Sequence, residues 1–176
     1  MLRVLRVLLP LLTLILSCAG AMADTFDGRV SAVLEGDMLV VDVPGRGPIK
    51  LRLAWIDAPE RAQPAGEAAR SSLGALSFGR EVRIEHAGEG PGGLWHGVAW
   101  ASSPDTPCRG TDCPKTLDLG MAQIARGMAW HDRRSLGQPA HSLGQYEHAE
   151  FQARIRRLGL WAEKNPVPPW QWTGRR

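Results

Sequence analysis

Met38-Leu-Val-Val-Asp-Val-Pro-Gly-Arg-Gly-Pro-Ile-Lys-Leu-Arg-Leu-Ala-Trp-Ile-Asp-Ala-Pro-Glu60 is the stretch on which the fold turns. Met38 to Val43 is apolar except for Asp42 and rich in β-branched residues, and Pro44-Gly-Arg-Gly-Pro48 is dense in turn formers. Ile49 to Ile56 then reads as a returning strand, so the pattern is strand, turn, strand. The second strand carries Arg52 and is expected to run straight into Asp57-Ala-Pro-Glu60. Glu35-Gly-Asp37 supplies another acidic turn about one hairpin earlier.

The flanking sequence builds outward from this hairpin. Phe26 to Val33 is β-branched enough for a strand, Glu81-Val-Arg-Ile-Glu85 alternates, and Val98-Ala-Trp100 is a further short strand. Helical order is predicted over Glu67 to Phe78, stopping at Gly79, over Leu119 to Ala129, and over Tyr146 to Leu158, ending at Gly159. Five short strands with an embedded helix predict an α+β fold: a small five-stranded OB-type Greek-key β-barrel with three helices. The tail, Pro166-Val-Pro-Pro-Trp-Gln-Trp172, lacks the amide donors of a helix and is expected to lie extended on the surface.

The first 23 residues read as a leader rather than as part of the fold. Arg3 and Arg6 precede an almost wholly apolar run from Val7 to Ala19, and Ala21-Met-Ala23 is a small-x-small cleavage site. A membrane anchor is the competing reading, but the run is short and Pro10 interrupts it. A lipoprotein through Cys18 is a second alternative, for which Leu16 fits poorly. The expectation is therefore export to the periplasm or the medium, with Asp24 as the new N-terminus and no remaining membrane span. Arg3 and Arg6 leave with the leader, so 19 basic residues then face 18 acidic ones. That near-neutral balance is less basic than the whole-chain charge implies, and strong nonspecific nucleic-acid binding instead rests on a clustered basic surface. From Arg126 to Arg176 nine basic residues stand against four acidic ones, a bias read as a solvated helix face.

Residues 24–176 fit one domain, expected to be monomeric, and a chain of this size buries roughly 70% of its extended surface. Without Cys18, Cys108 and Cys113 remain as an even pair in a turn-rich loop, which predicts a disulfide. A zinc site with His131, His141 or His148 competes, although its spacings match no usual pattern.

The acids and the arginine around the hairpin suggest chemistry. Hard carboxylate oxygens suit a hard cation, and a guanidinium fork suits a phosphate. Asp37, Arg52, Asp57 and Glu60 aimed at one pocket outline metal-assisted cleavage of a phosphodiester. Each has a plainer reading: Asp37 shapes a turn, Asp57 caps the Ala-Pro segment, Glu60 starts a helix, and Arg52 pairs with a surface acid. The four offsets together favour the chemical reading.

These motifs stand in a recognisable order. From about Phe26 to Trp172 the chain resembles the staphylococcal nuclease-like, or thermonuclease, family. The resemblance rests on Gly28-Arg-Val30, Glu35-Gly-Asp37, Leu51-Arg-Leu53, Ile56-Asp-Ala-Pro-Glu60, Gln63-Pro64 and Gly66-Glu-Ala68, and continues through Arg126-Gly-Met-Ala-Trp130, Ala149-Glu150, Ala153-Arg154 and Gly159-Leu-Trp161. It implies a calcium ion held by the side chains of Asp37 and Asp57 and the carbonyl of Ala58. It further implies Glu60 as general base, Arg52 on the scissile phosphate, and DNA or RNA as substrate.

The chain also departs from the family. Asp-x-Tyr-Gly-Arg, whose arginine is a second phosphate clamp, is replaced by Gly90-Pro-Gly-Gly93-Leu94 before Trp95-His-Gly-Val-Ala-Trp100, and Leu94 takes the arginine's place. Arg80, Arg109 and His96 are the candidate substitutes. Met38 replaces a threonine, and Trp130-His-Asp-Arg-Arg134 lacks the tyrosine found near the nucleotide. Loss of an arginine that stabilises a phosphoryl transition state costs roughly 10³–10⁵ in rate. Two functions follow: an exported calcium-dependent nuclease, slowed by the missing arginine, or an inactive OB-fold binding module.

Overall fold

Alternation decides the barrel. Leu39 and Val41 on one strand and Leu51 and Leu53 on the next are buried, while Asp42 and Lys50, the neighbours of Val41 and Leu51, point outward. The computed structural model describes residues 25–105, 108 and 112–174. Its strands are β1 Thr25–Glu35, β2 Met38–Val43, β3 Gly47–Leu53, β4 Ile56–Asp57, β5 Glu81–Glu89, β6 Leu94–Ala101, β7 Leu117–Asp118 and β8 Trp130–His131. The helices are α1 Gly66–Ser77, α2 Leu119–Ala125 and α3 Ala140–Ile155. The leader expected over 1–23, with Cys18, and Arg109 lie outside the described residues.

Strands β3, β2, β1, β5 and β6 are hydrogen-bonded in that order, and β3 pairs again with β6 to close a five-stranded barrel. The closing pair is parallel, with Arg52 opposite His96 and Lys50 opposite Leu94. The remaining barrel pairs are antiparallel. The interior is filled by Val30, Leu39, Val41, Leu51, Val82 and Ile84. Helix α1 packs on β1 and on α2, and α2 packs on α3. The α+β barrel with three helices is the expected architecture.

The strand carrying Arg52 does not run straight on to Asp57. It stops at Leu53, and Trp55 adopts φ +61°, a left-handed turn that separates β3 from the two-residue β4. Strand β4 then leaves the barrel and pairs with β8, placing Ile56 opposite His131 and Asp57 opposite Trp130.

Helix α2 is shorter than its apolar pattern predicts. It ends at Ala125 because Gly127 takes φ +68°, and a Cβ there would lie 2.2 Å from the Leu158 carbonyl oxygen. At its other end, Asp118 caps the helix by accepting from the Met121 amide at 3.0 Å, a contact worth about 1 kcal/mol. Helix α3 begins six residues earlier than Tyr146, directly after Pro139. Cys108 and Cys113 are bonded, with Cα atoms 5.6 Å apart, so they are not zinc ligands.

The tail is more structured than its proline content predicts. Pro169–Gln171 forms one 3-10 turn. Gln63 donates its side-chain amide to the Val167 carbonyl, and Trp170 meets Trp130 edge-to-face at 6.3 Å.

Candidate active site

Asp37 stands where the β1–β2 hairpin meets β3. Its carbonyl accepts from the Leu53 amide at 2.8 Å, and Met38 is opposite Arg52 in the β2–β3 register. Gly36 beside it has no room for a side chain: a Cβ would lie 2.6 Å from Ala69 and 2.7 Å from Ala58. The missing side chain is what lets the acidic turn touch the Asp57-Ala58 segment and α1. Buried Gln123 fixes the turn from below, donating to the carbonyls of Gly36 at 2.7 Å and Ala69 at 2.9 Å.

One groove of about 670 Å³ is lined by Glu35, Asp37, Arg52, Asp57, Ala58 and Glu60, with Arg134 and the tail rings Trp170 and Trp172 on its wall. The four chemically suggestive residues therefore share one cavity. Glu60 is held by its backbone: its amide donates to the Gln63 side chain at 3.3 Å, and its carbonyl accepts from the Gln63 amide at 2.8 Å. A second cavity, of about 450 Å³, adjoins the first through Arg52, Asp57 and Arg134 and is lined further by His96 and Asp132. The first cavity thus carries Glu35, Asp37 and Glu60, the second carries Glu89, His96 and Asp132, and Arg52, Asp57 and Arg134 line both.

The electrostatics fit a cation. Asp37 is only 2% exposed. Burial pushes its carboxyl up to about 7; Arg52 opposes the rise, while Asp57 and Glu35 add to it. Asp57 is also raised, by burial first, against the pull of Arg134. A buried acid that ionises reluctantly beside a second acid is relieved by a hard cation. No cluster of three or more His, Cys, Asp or Glu side chains with metal-binding geometry exists among the described residues. A calcium ion here would therefore use two carboxylates, the Ala58 carbonyl and water.

Arg52 is poised rather than consumed. Its Nη2 is 3.6 Å from Glu35 and its Nε is 3.9 Å from Asp37. Both separations exceed a strong charge-assisted hydrogen bond, and the Nε is buried with no hydrogen-bond partner. Among the described residues this buried donor is left without a partner, an exception that a ligand or water bound beside Arg52 would explain.

The place opposite Arg52 belongs to His96, not to Leu94. Leu94 is two residues earlier on β6, opposite Lys50, and lines neither cavity. An arginine at 94 would stand about 6.6 Å of strand away from the pair that matters. His96 is held below its ordinary pKa by burial and then by the Arg52 charge. Of the other two candidate substitutes, Arg80 lies in a different cavity beside Arg29 and Ser102.

Residues 50–163 match the family model described as staphylococcal nuclease homologue. The chain belongs to the staphylococcal nuclease homologue family. A protein named micrococcal nuclease from Shigella flexneri is 38% identical over 152 residues, covering 86% of this chain and 82% of the relative. Protein ParB of Escherichia coli is 33% identical over 150 residues, covering 82% and 77%. An uncharacterized endonuclease of Escherichia coli O157:H7 is 29% identical over 171 residues, covering 97% and 99%.

Within this nuclease-family barrel, sequence reasoning missed Arg134. Strand β8 pairs with β4 and delivers Arg134 to Asp57, with Nη2 2.9 Å from the carboxylate. Its Nε donates to Asp132 at 2.6 Å, and the guanidinium lies 4.1 Å above the Trp170 ring. Burial works against the Asp132 carboxylate, but hydrogen bonds from Arg134 and Ser135 outweigh it and hold the group below its ordinary range. The available signal was the Asp132-Arg-Arg134 run after Trp130, read as part of a solvated basic face. Arg133 pairs with exposed Glu147, while Arg133 and Arg154 both pair with the buried Glu150.

Proposed function

We propose that this protein is an exported calcium-dependent nuclease that hydrolyses phosphodiester bonds in DNA or RNA. The observation that carries the reading is the meeting of Asp37, Arg52, Asp57 and Glu60 on one groove, with the buried Asp37 carboxylate 3.9 Å from the Arg52 Nε. Among the described residues no helix is long and apolar enough to cross a membrane. Export rests on the leader-like sequence over 1–23 and on the Cys108–Cys113 bond, which suits an oxidising compartment.

In this reading Asp37 and Asp57 hold calcium with the Ala58 carbonyl. The ion supplies charge neutralisation for a phosphate oxygen when bound. Arg52 donates its fork to the scissile phosphate and offsets the charge that develops there. Glu60, on the open side of the groove, takes the proton of the attacking water. The buried wall around Asp37 keeps bulk water from competing for those contacts. A histidine opposite Arg52 gives a weaker anion clamp than an arginine at neutral pH, so the rate is expected to be slower than that of a site with two strand-borne arginines.

The binding-module alternative predicts nucleic-acid binding with no chemistry. The two are separated by incubating residues 24–176 with plasmid DNA and structured RNA in calcium or in EDTA, alongside Arg52→Ala and Glu60→Gln. Calcium-dependent cleavage lost in both variants supports the nuclease. Binding without cleavage at any cation concentration refutes it.

A further inference from the structure

The groove has a second arginine from a part of the chain far from the first. Arg134 follows β8 and reaches Asp57, 77 residues away in sequence. It lines both cavities, as Arg52 and Asp57 do. Its side chain is 52% exposed, so its outer edge faces the groove and not the core.

Its orientation is fixed from three sides. Asp132 accepts from its Nε at 2.6 Å, Asp57 accepts from its Nη2 at 2.9 Å, and its guanidinium carbon sits over the Trp170 ring, 4.1 Å from the ring centre. Asp132 is itself held, since it also accepts from the Ser135 hydroxyl at 2.8 Å and from the Arg134 amide at 3.1 Å. A guanidinium has five N–H donors. Among the described residues two are engaged, leaving both hydrogens of Nη1 and one of Nη2 for an anion. A long side chain held by a carboxylate and a ring has already lost most of the rotamer freedom that binding would otherwise cost.

We propose that Arg134 is the second phosphate-binding arginine of this groove, oriented by Asp132 and by Trp170 of the C-terminal segment. The assignment rests on the nuclease reading and names the residue that completes its phosphate clamp. Arg52 approaches the phosphate from the barrel wall, and Arg134 approaches from the β8 side. The first cavity, carrying Asp37 and Glu60, is lined by both. Trp170 is a positioning residue, since it touches Arg134 and not the phosphate.

The test is binding of a fluorescent hexadeoxynucleotide, by anisotropy in calcium and in EDTA, to Glu60→Gln protein with and without further changes. Arg134→Ala is expected to weaken binding roughly 10–100-fold, the scale of one charge-assisted contact pair. Arg134→Lys should recover part of this, because a point charge replaces a fork. Trp170→Ala should weaken binding less than Arg134→Ala, with Trp170→Phe restoring it, a rescue that general loss of structure would not give. His96→Ala should have the smaller effect of the two groove substitutions. In the Glu60-containing protein, kcat/KM should fall in parallel for Arg134→Ala.

Unchanged oligonucleotide affinity and unchanged kcat/KM in Arg134→Ala would overturn the proposal. Unchanged affinity with tighter calcium binding would make Arg134 merely the counter-ion of Asp57. Loss in His96→Ala but not in Arg134→Ala would assign the clamp to His96. If the parent neither binds the oligonucleotide nor cleaves it in any cation, the nuclease reading fails and this inference with it.

Discussion

Replacing Asp37 by asparagine should make the metal-free protein more stable while removing its function. Asp37 is buried, and its pKa rises from 3.8 to about 7 on folding. That rise corresponds to about 4 kcal/mol of ionisation penalty once the folded group is forced to lose its proton. Below pH 3.8 the folded and unfolded chains both hold the proton, and the penalty is absent. Between 3.8 and about 7 the unfolded chain releases it while the folded chain keeps it, so stability falls as pH rises through that window. Above about 7 the loss is complete. Asparagine is nearly isosteric and never ionises. The expected gain for Asp37→Asn in EDTA is therefore about 2 kcal/mol at pH 5 and about 4 kcal/mol at pH 8, as ceilings set by the ionisation cost alone. Urea unfolding at the two pH values measures both. Calcium should stabilise the wild type at pH 8 and leave Asp37→Asn unmoved, and the variant should show no cleavage. A variant no more stable than wild type at pH 8, or a gain that does not shrink at pH 5, would refute the reasoning. Asp57 is raised in the same direction, so a residual slope should survive the substitution.

Three further outcomes are expected. Reducing the Cys108–Cys113 bond, whose sequence separation is 5, should cost about 2 kcal/mol in the loop-closure model. Cleavage should be unaffected, because neither cysteine lines the groove; a lost rate in reduced but folded protein would contradict this. His96→Arg should raise kcat/KM, since it puts a fork opposite Arg52, whereas Leu94→Arg should not; the reverse order in a plasmid assay would restore the sequence-based placement. Finally, Edman sequencing of the exported protein should begin at Asp24, and a lipid-modified Cys18 would instead establish a lipoprotein.

The barrel and the outline of the site were legible because they rest on local signals. The β-branched run of Met38–Val43 and the alternation of Ile49–Leu53 mark strands, and those local signals survive any tertiary arrangement. Asp57-Ala-Pro-Glu60 and Glu35-Gly-Asp37 were visible as acidic turns for the same reason. Boundaries were less legible. The apolar pattern of α2 continues to Ala129, but Gly127 must approach the Leu158 carbonyl, a constraint from a segment some thirty residues away. Trp55 carries no sequence mark of its left-handed conformation, because that geometry is imposed by β4 leaving the barrel for β8.

What the sequence determined by itself was which residue types are available: two acids at matched offsets, an arginine on a strand, an acid after the Ala-Pro turn, and a cysteine pair close enough to bond. What only the tertiary structure decided was which of them face one another. Parallel register in β3–β6 puts His96, and not Leu94, opposite Arg52. The β4–β8 pairing brings Arg134 onto Asp57, and the tail returns to lay Trp170 beneath it. These contacts join segments separated by tens of residues, and their geometry is set by barrel closure and burial, which no local periodicity encodes.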